Sequence, residues 1–156
     1  MRMGMLLWLL LSAPLALAKS CDFDCTLKRH LDALQAKDFD AFEATLTKGK
    51  RLSFILPNGQ YIASAQEYKR MLKDWFAKGG WTLSYEVIAV EKSADMGNAL
   101  LKVDYREADR NGQPYQLDHY LSLLFKRDND AWYLVHDQNT RIDVVAEKAS
   151  DDKARQ

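Results

Sequence analysis

Three side chains in this sequence carry groups suited to proton transfer or polar recognition: His30, Asp118 and Asp137. A neutral imidazole offers one donor and one acceptor and titrates near neutrality. A carboxylate removed from water has a raised pKa and can then exchange a proton around pH 7. His30 is in phase with Phe23, Leu27, Leu31 and Leu34, on the apolar side of a helical run. There it is either a core histidine with one satisfied nitrogen or a pocket-lining group. Asp118 shares a strand face with Tyr120, so it is either a buried acid beside a phenol or an exposed strand-end carboxylate. Asp137 lies in the last strand-like run, as a pocket acid or as a partner for Arg141. His119 falls on the face opposite Asp118 and is not put forward.

Other chemistries lack their residues. The chain has no GxSxG, P-loop, GxGxxG or HExxH pattern, and His30, His119 and His136 show no metal-ligand spacing. No metal or other cofactor is expected. Lysine plus arginine equals aspartate plus glutamate at 22 each. With no basic stripe interleaved with aromatics, nucleic acid is not expected as a partner.

Compartment is readable from the start of the chain. Arg2, the apolar run Met5 to Leu11, Pro14 and the A-x-A site Ala16-Leu17-Ala18 follow the order of a secretory signal peptide. Residues 1–18 are therefore read as a cleaved leader, residues 19–146 as one domain and residues 147–156 as a charged polar tail. The mature protein is expected in the periplasm or secreted, with no membrane association after cleavage. An oxidising compartment makes a Cys21–Cys25 disulfide the default. On a helix that spacing puts the two Cα atoms about 6 Å apart, within disulfide range. Intermolecular bridging, free thiols, or metal and redox chemistry are the alternatives.

Positioning these groups requires a particular order of elements. Residues 22–36 read as an amphipathic helix, and Asp38 caps a short second one carrying Phe39, Phe42 and Leu46. Arg51 to Leu56 and Tyr61 to Ala63 read as strands joined through Pro57-Asn58-Gly59. Ser64 and Glu67 form a capping box that opens a third helix, which ends at Gly79-Gly80. Four strands follow, Trp81–Lys92, Ala99–Glu107, Tyr115–Lys126 and Ala131–Ile142, with turns at Asp95 to Asn98, Asn111-Gly112 and Asp128 to Asp130. The predicted class is α+β: three helices packed on a strongly curved antiparallel sheet that leaves a pocket.

The phrases Arg29 to Asp40 and Trp132 to Thr140 resemble the opening helices and closing strand of the nuclear transport factor 2-like, SnoaL-like superfamily, which includes ketosteroid-isomerase-like domains. The resemblance spans about residues 22–143 and implies a cone fold and a homodimer. It places the isomerase helix-1 tyrosine at His30, the aspartate base near Phe54, and the second acid at Asp118 or Ser122. Phenylalanine accepts no proton, so isomerase chemistry of that kind lacks its base. The resemblance also favours a pocket-facing set of Tyr133, Val135, Asp137 and Asn139 on the last strand. The expected ligand contacts are therefore His30, Asp118, Tyr120, Ser122, Tyr133 and Asp137. Three functions fit: an exported domain binding a small apolar molecule, an acid/base enzyme such as an isomerase, cyclase or dehydratase, or a dimeric interaction module. Fold alone does not choose among them.

Overall fold

A computed structural model of the chain describes residues 21–143. The expected leader and polar tail both lie outside the described residues. The elements run α1 Phe23–Ala36, α2 Phe39–Glu43, β1 Arg51–Ile55, β2 Tyr61–Ser64, α3 Ala65–Lys78, β3 Trp81–Lys92, β4 Met96–Arg110, β5 Gln113–Asp128 and β6 Ala131–Arg141. The strands form one sheet in the order β2-β1-β6-β5-β4-β3. β1 runs parallel to β6, and every other neighbouring pair is antiparallel. The hairpin thus extends the four-strand meander, and the helices cover the concave side of one sheet.

The caps form as their residue types require. Asp22 accepts from the Cys25 amide at 3.0 Å, Asp38 from Ala41 at 3.0 Å and Ser64 from Glu67 at 3.2 Å. Each satisfies an amide that a helix start otherwise leaves unpaired. Cys21 and Cys25 are joined by a disulfide with Cα atoms 5.3 Å apart. It fastens the entry of α1 on the side away from the core, while Phe23, Leu27, His30, Leu31 and Leu34 are buried. The turn Asn111-Gly112 has positive φ at both residues, 58° and 85°. That is the backbone a two-residue hairpin between right-twisted strands requires.

Four register shifts bend the sheet, one each in the pairings β1/β2, β3/β4, β4/β5 and β5/β6. A bulge adds a residue to one strand and sharpens its local twist. The inner face of the bent sheet holds Leu101 and Val103 from β4, Leu121, Leu123 and Phe125 from β5, and Leu134 from β6, all buried. At one end of the cone Trp75 stacks on Trp81 at 4.1 Å between centroids. The two indole N–H groups are satisfied there, by the Tyr105 hydroxyl at 3.0 Å and the Trp75 carbonyl at 3.1 Å.

One glycine plays a different part from the turn role expected of it. The turn after β3 is made by Ser93 to Asp95, with the Ser93 amide donating to the Met96 carbonyl at 2.7 Å. Gly97 lies inside β4, paired with Phe125 on one side and Lys92 on the other. A Cβ there would stand 2.3 Å from the Phe23 ring. The missing side chain is therefore the seat for the first core aromatic of α1. Gly97→Ala is expected to cost about 1–3 kcal/mol by overpacking. Chemical denaturation should show it, and a loss below half a kcal/mol would mean that Phe23 has somewhere else to go.

Candidate functional site

The cone encloses a cavity of about 830 Å³, walled largely by apolar side chains from the three helices and the inner sheet face. Its apolar lining includes Leu34, Phe42, Phe54, Ile62, Met71, Trp75, Leu83 and Leu121. Four buried polar groups interrupt that wall, Tyr68, Asp137, His30 and His119, and exposed charged side chains such as Glu67, Arg70, Lys78 and Arg141 also border it.

Asp137 reaches the cavity because β6 does not alternate regularly. Leu124 pairs with His136 but Phe125 pairs with Leu134, so Val135 is an extra residue on β6. Leu134 and Asp137 consequently both face inward, 0% and 7% exposed, although they are three residues apart. Before the bulge the inward residues are Trp132 and Leu134, against Phe23 and Phe125. After it they are Asp137, Asn139 and Arg141.

The carboxylate is held from two elements. The Tyr68 hydroxyl on α3 donates to Asp137 Oδ2 at 2.8 Å, and the Asn139 amide donates to Oδ1 at 2.8 Å. The same amide reaches the Ile55 carbonyl at 3.4 Å. Burial pushes the Asp137 carboxyl up to about 7, with the two donated hydrogen bonds holding it lower than burial alone would. Burial and then the neighbouring Asp137 charge push the Tyr68 phenol well above its ordinary value, so Tyr68 remains a donor.

His30 is 1% exposed, with its ring over Phe42 at 4.4 Å and edge-on to Phe125 at 5.6 Å. Its Nδ1 lies 2.7 Å from the Thr45 hydroxyl. Burial drives its pKa down to about 3. His119 is 5% exposed and its buried Nδ1 has no hydrogen-bond partner. Burial lowers its pKa too, opposed by the Leu117 carbonyl and the Asn139 side chain. Both rings are thus neutral at neutral pH.

The structure brings together two of the expected contacts, His30 and Asp137, and separates the rest. Asp118, Tyr120 and Ser122 do share a face, but it is the convex one. The inward residues of β5 are Leu117, His119, Leu121, Leu123 and Phe125, which leaves the alternate set outside. Asp118 is bonded by Gln116 at 3.2 Å, Tyr120 is 41% exposed, and Ser122 donates to Asn98 at 3.0 Å. Tyr133 precedes the bulge, pairs with exposed Lys126, and lies under Lys48 instead of beside Asp137. The expected sharing of a face by Tyr133 and Asp137 is therefore corrected by the residue inserted at Val135. Tyr68 and His119 are the polar groups that sequence reasoning passed over. The phase of Leu117, Leu121 and Leu123 was the available signal for His119. Among the described residues no three His, Cys, Asp or Glu side chains converge as a metal site would need.

A model of the SnoaL-like domain family matches residues 25–139. The fold is similar to that of a candidate calcium/calmodulin-dependent protein kinase type II association domain from Thiobacillus denitrificans, at 13% identity and a TM-score of 0.65 over 78% of this chain and 95% of that one. It is similar to a ketosteroid isomerase-like protein from Erwinia carotovora atroseptica, at 16% identity and a TM-score of 0.60 over 81% and 98%. It is also similar to an epoxide hydrolase of the LEH-like type from Mycobacterium tuberculosis, at 14% identity and a TM-score of 0.56 over 75% and 80%. No curated protein sequence matches the chain. At such identities the likeness is one of fold.

Two of the buried groups make opposite contributions to stability as pH changes. Asp137 has a raised folded pKa, so its contribution is full below 3.8 and is lost as pH rises through about 7. His30 has a depressed folded pKa, so its contribution is full above 6.5 and is lost as pH falls towards about 3. Each slope is at most about 1.4 kcal/mol per pH unit, and between pH 4 and pH 6.5 they oppose each other. Asp137→Asn should therefore expose a loss of stability on acidification, to which His119 adds in the same direction. His30→Phe should remove one of the two histidine slopes that oppose Asp137, so that the variant gains stability relative to wild type between pH 7 and pH 5. Urea titrations across this range check both slopes, and parallel curves for wild type and Asp137→Asn would refute the buried titration of Asp137.

Proposed function

The chain belongs to the SnoaL-like domain family, and from that premise we propose that it is an exported domain that binds a small, largely apolar molecule inside its cone. The observation that carries this reading is the cavity itself, about 830 Å³, with largely apolar walls around the buried His30, Tyr68, His119 and Asp137. Pockets for small organic ligands have this size and this mixture. His30 and Asp137 are the expected contacts that remain, and Tyr68 and His119 join them. Export is supported by the leader sequence and by the Cys21–Cys25 disulfide, which suits an oxidising compartment. A homodimer is supported by the apolar side chains that the sheet leaves exposed, Val87, Ile88 and Val90 on β3 and Tyr120 on β5.

A second reading is favoured by one feature, the carboxyl of Asp137 poised near neutrality inside the cavity. A group in that state can accept or return a proton in an isomerase, cyclase or dehydratase reaction. Tyr68 would then steady the charged form, and His30 would orient the substrate. A turnover with a pH limb near 7 that disappears in Asp137→Asn would select this reading over binding alone.

Native mass spectrometry of the protein recovered from the periplasm is the first test. A discrete extra mass of a few hundred daltons, lost when Phe54→Trp fills the cavity, is expected from a constitutive ligand. Bare polypeptide in every preparation would count against tight binding and move the weight to a transient substrate.

A further inference from the structure

Thr45 fixes which nitrogen of His30 is free. The Thr45 hydroxyl is 2.6 Å from the Phe42 carbonyl oxygen, to which it donates. A hydroxyl has one proton to give. Towards His30 Nδ1, 2.7 Å away, it can therefore only accept. Nδ1 carries the ring proton, and in a neutral imidazole that leaves Nε2 as a bare acceptor. The ring does not escape by protonation, because burial holds its pKa at about 3. The bond to Thr45 is the one hydrogen bond this ring makes among the described residues. His30 nevertheless lines the cavity.

The rest of the polar lining does not supply Nε2 with a donor. The Tyr68 proton and the Asn139 amide are both committed to Asp137. His119 is acted on by the Leu117 carbonyl and the Asn139 side chain, and among the described residues its buried Nδ1 has no partner. Once a guest excludes water from the cavity, an acceptor left without a donor costs on the order of 1–3 kcal/mol. The cavity is thus set up for a molecule that brings its own donor to His30.

Deepening the small-molecule reading above, on which this rests, we propose that the ligand is an apolar molecule bearing a hydroxyl group, donated to His30 Nε2 in the floor of the cone. Ketones, ethers and carboxylates of the same shape present only lone pairs there and are discriminated against. His119 meets a second polar group of the ligand through its unpartnered Nδ1.

The test uses the disulfide-intact protein with ¹⁵N-labelled histidine and two probes of nearly equal shape, 4-propylphenol and 4-propylanisole. Before any probe is added, the His30 Nε2 resonance should be that of an unprotonated nitrogen. The phenol should bind about tenfold more tightly than the anisole. It should also move the Nε2 resonance, which the anisole leaves in place. A protonated Nε2 in the free protein, or equal affinity for the two probes, overturns the proposal while leaving the cavity a binding site. Failure of both probes to bind overturns the small-molecule reading itself. His30→Phe should abolish the preference. If that variant does not fold, Thr45→Val releases the tautomer, and the preference should shrink with it. A preference that survives in the folded variant counts against His30 as the acceptor.

Discussion

One inserted residue decides what β6 presents to the interior. Without the bulge at Val135, strict alternation from Leu134 would put His136 in the cone and turn Asp137 outward, where its carboxylate would be solvated. With it, an apolar layer of Trp132 and Leu134 gives way within three residues to Asp137 and Asn139. The bulge also falls where β6 changes partner on its other side. Leu134 pairs with the Thr45 to Thr47 segment after α2, whereas His136 to Gln138 pair with β1. The same distortion thus closes the sheet around α2 and begins the polar floor.

A polar floor in an apolar cone is tolerated only if its groups bond to one another. Asp137 meets this condition through α3 and through its own strand, with no basic partner. That choice has a consequence for chemistry. A guanidinium beside the carboxylate would hold it ionised, whereas two neutral donors leave it near the point of ionisation. Phe54 packs edge-on to Tyr68 at 4.9 Å, so the donor is fixed by an aromatic contact as well as by its hydrogen bond. The resemblance to isomerases puts their base at this same Phe54. Here that position packs against a phenol, and the titratable carboxyl of the cavity lies on β6.

Most of the architecture was legible because it rests on local rules. The buried stripe of α1, the caps at Asp38 and Ser64 and the Asn111-Gly112 turn each follow from a few adjacent residues. Gly97 was misread for the same reason. As a neighbour of Asp95 it looks like turn chemistry, and only the packing of Phe23, 74 residues earlier in the chain, explains it. The site was half legible. His30 came from residue type and helical phase, and Asp137 from the resemblance, which chose between the two faces of the last strand. Asp118, Tyr120, Ser122 and Tyr133 were assigned to the cavity by similarity, although period-two alternation does not say which face is concave. Burial of Leu117, Leu121 and Leu123 settles that face, and it puts His119 inside. Tyr68 escaped notice because it reads as one more apolar position of α3, and its hydroxyl finds its partner 69 residues away.

The charge state of the floor narrows what the cone can hold. Below about pH 7 the Asp137 carboxyl is protonated, while His30 stays neutral down to about 3. His119 is shifted by burial in the same direction as His30. Asp137 and His30 together therefore carry no formal charge between about pH 3 and about pH 7, and one negative charge above that. The Asp137 carboxylate would favour a cationic guest only on the alkaline side of about 7. Three arginines line the cavity, Arg70, Arg110 and Arg141, and Arg110 is engaged by Glu107 and stacks over Tyr115. A guest that reached the depth of the cone would be selected by shape and by the direction of hydrogen bonds more than by charge.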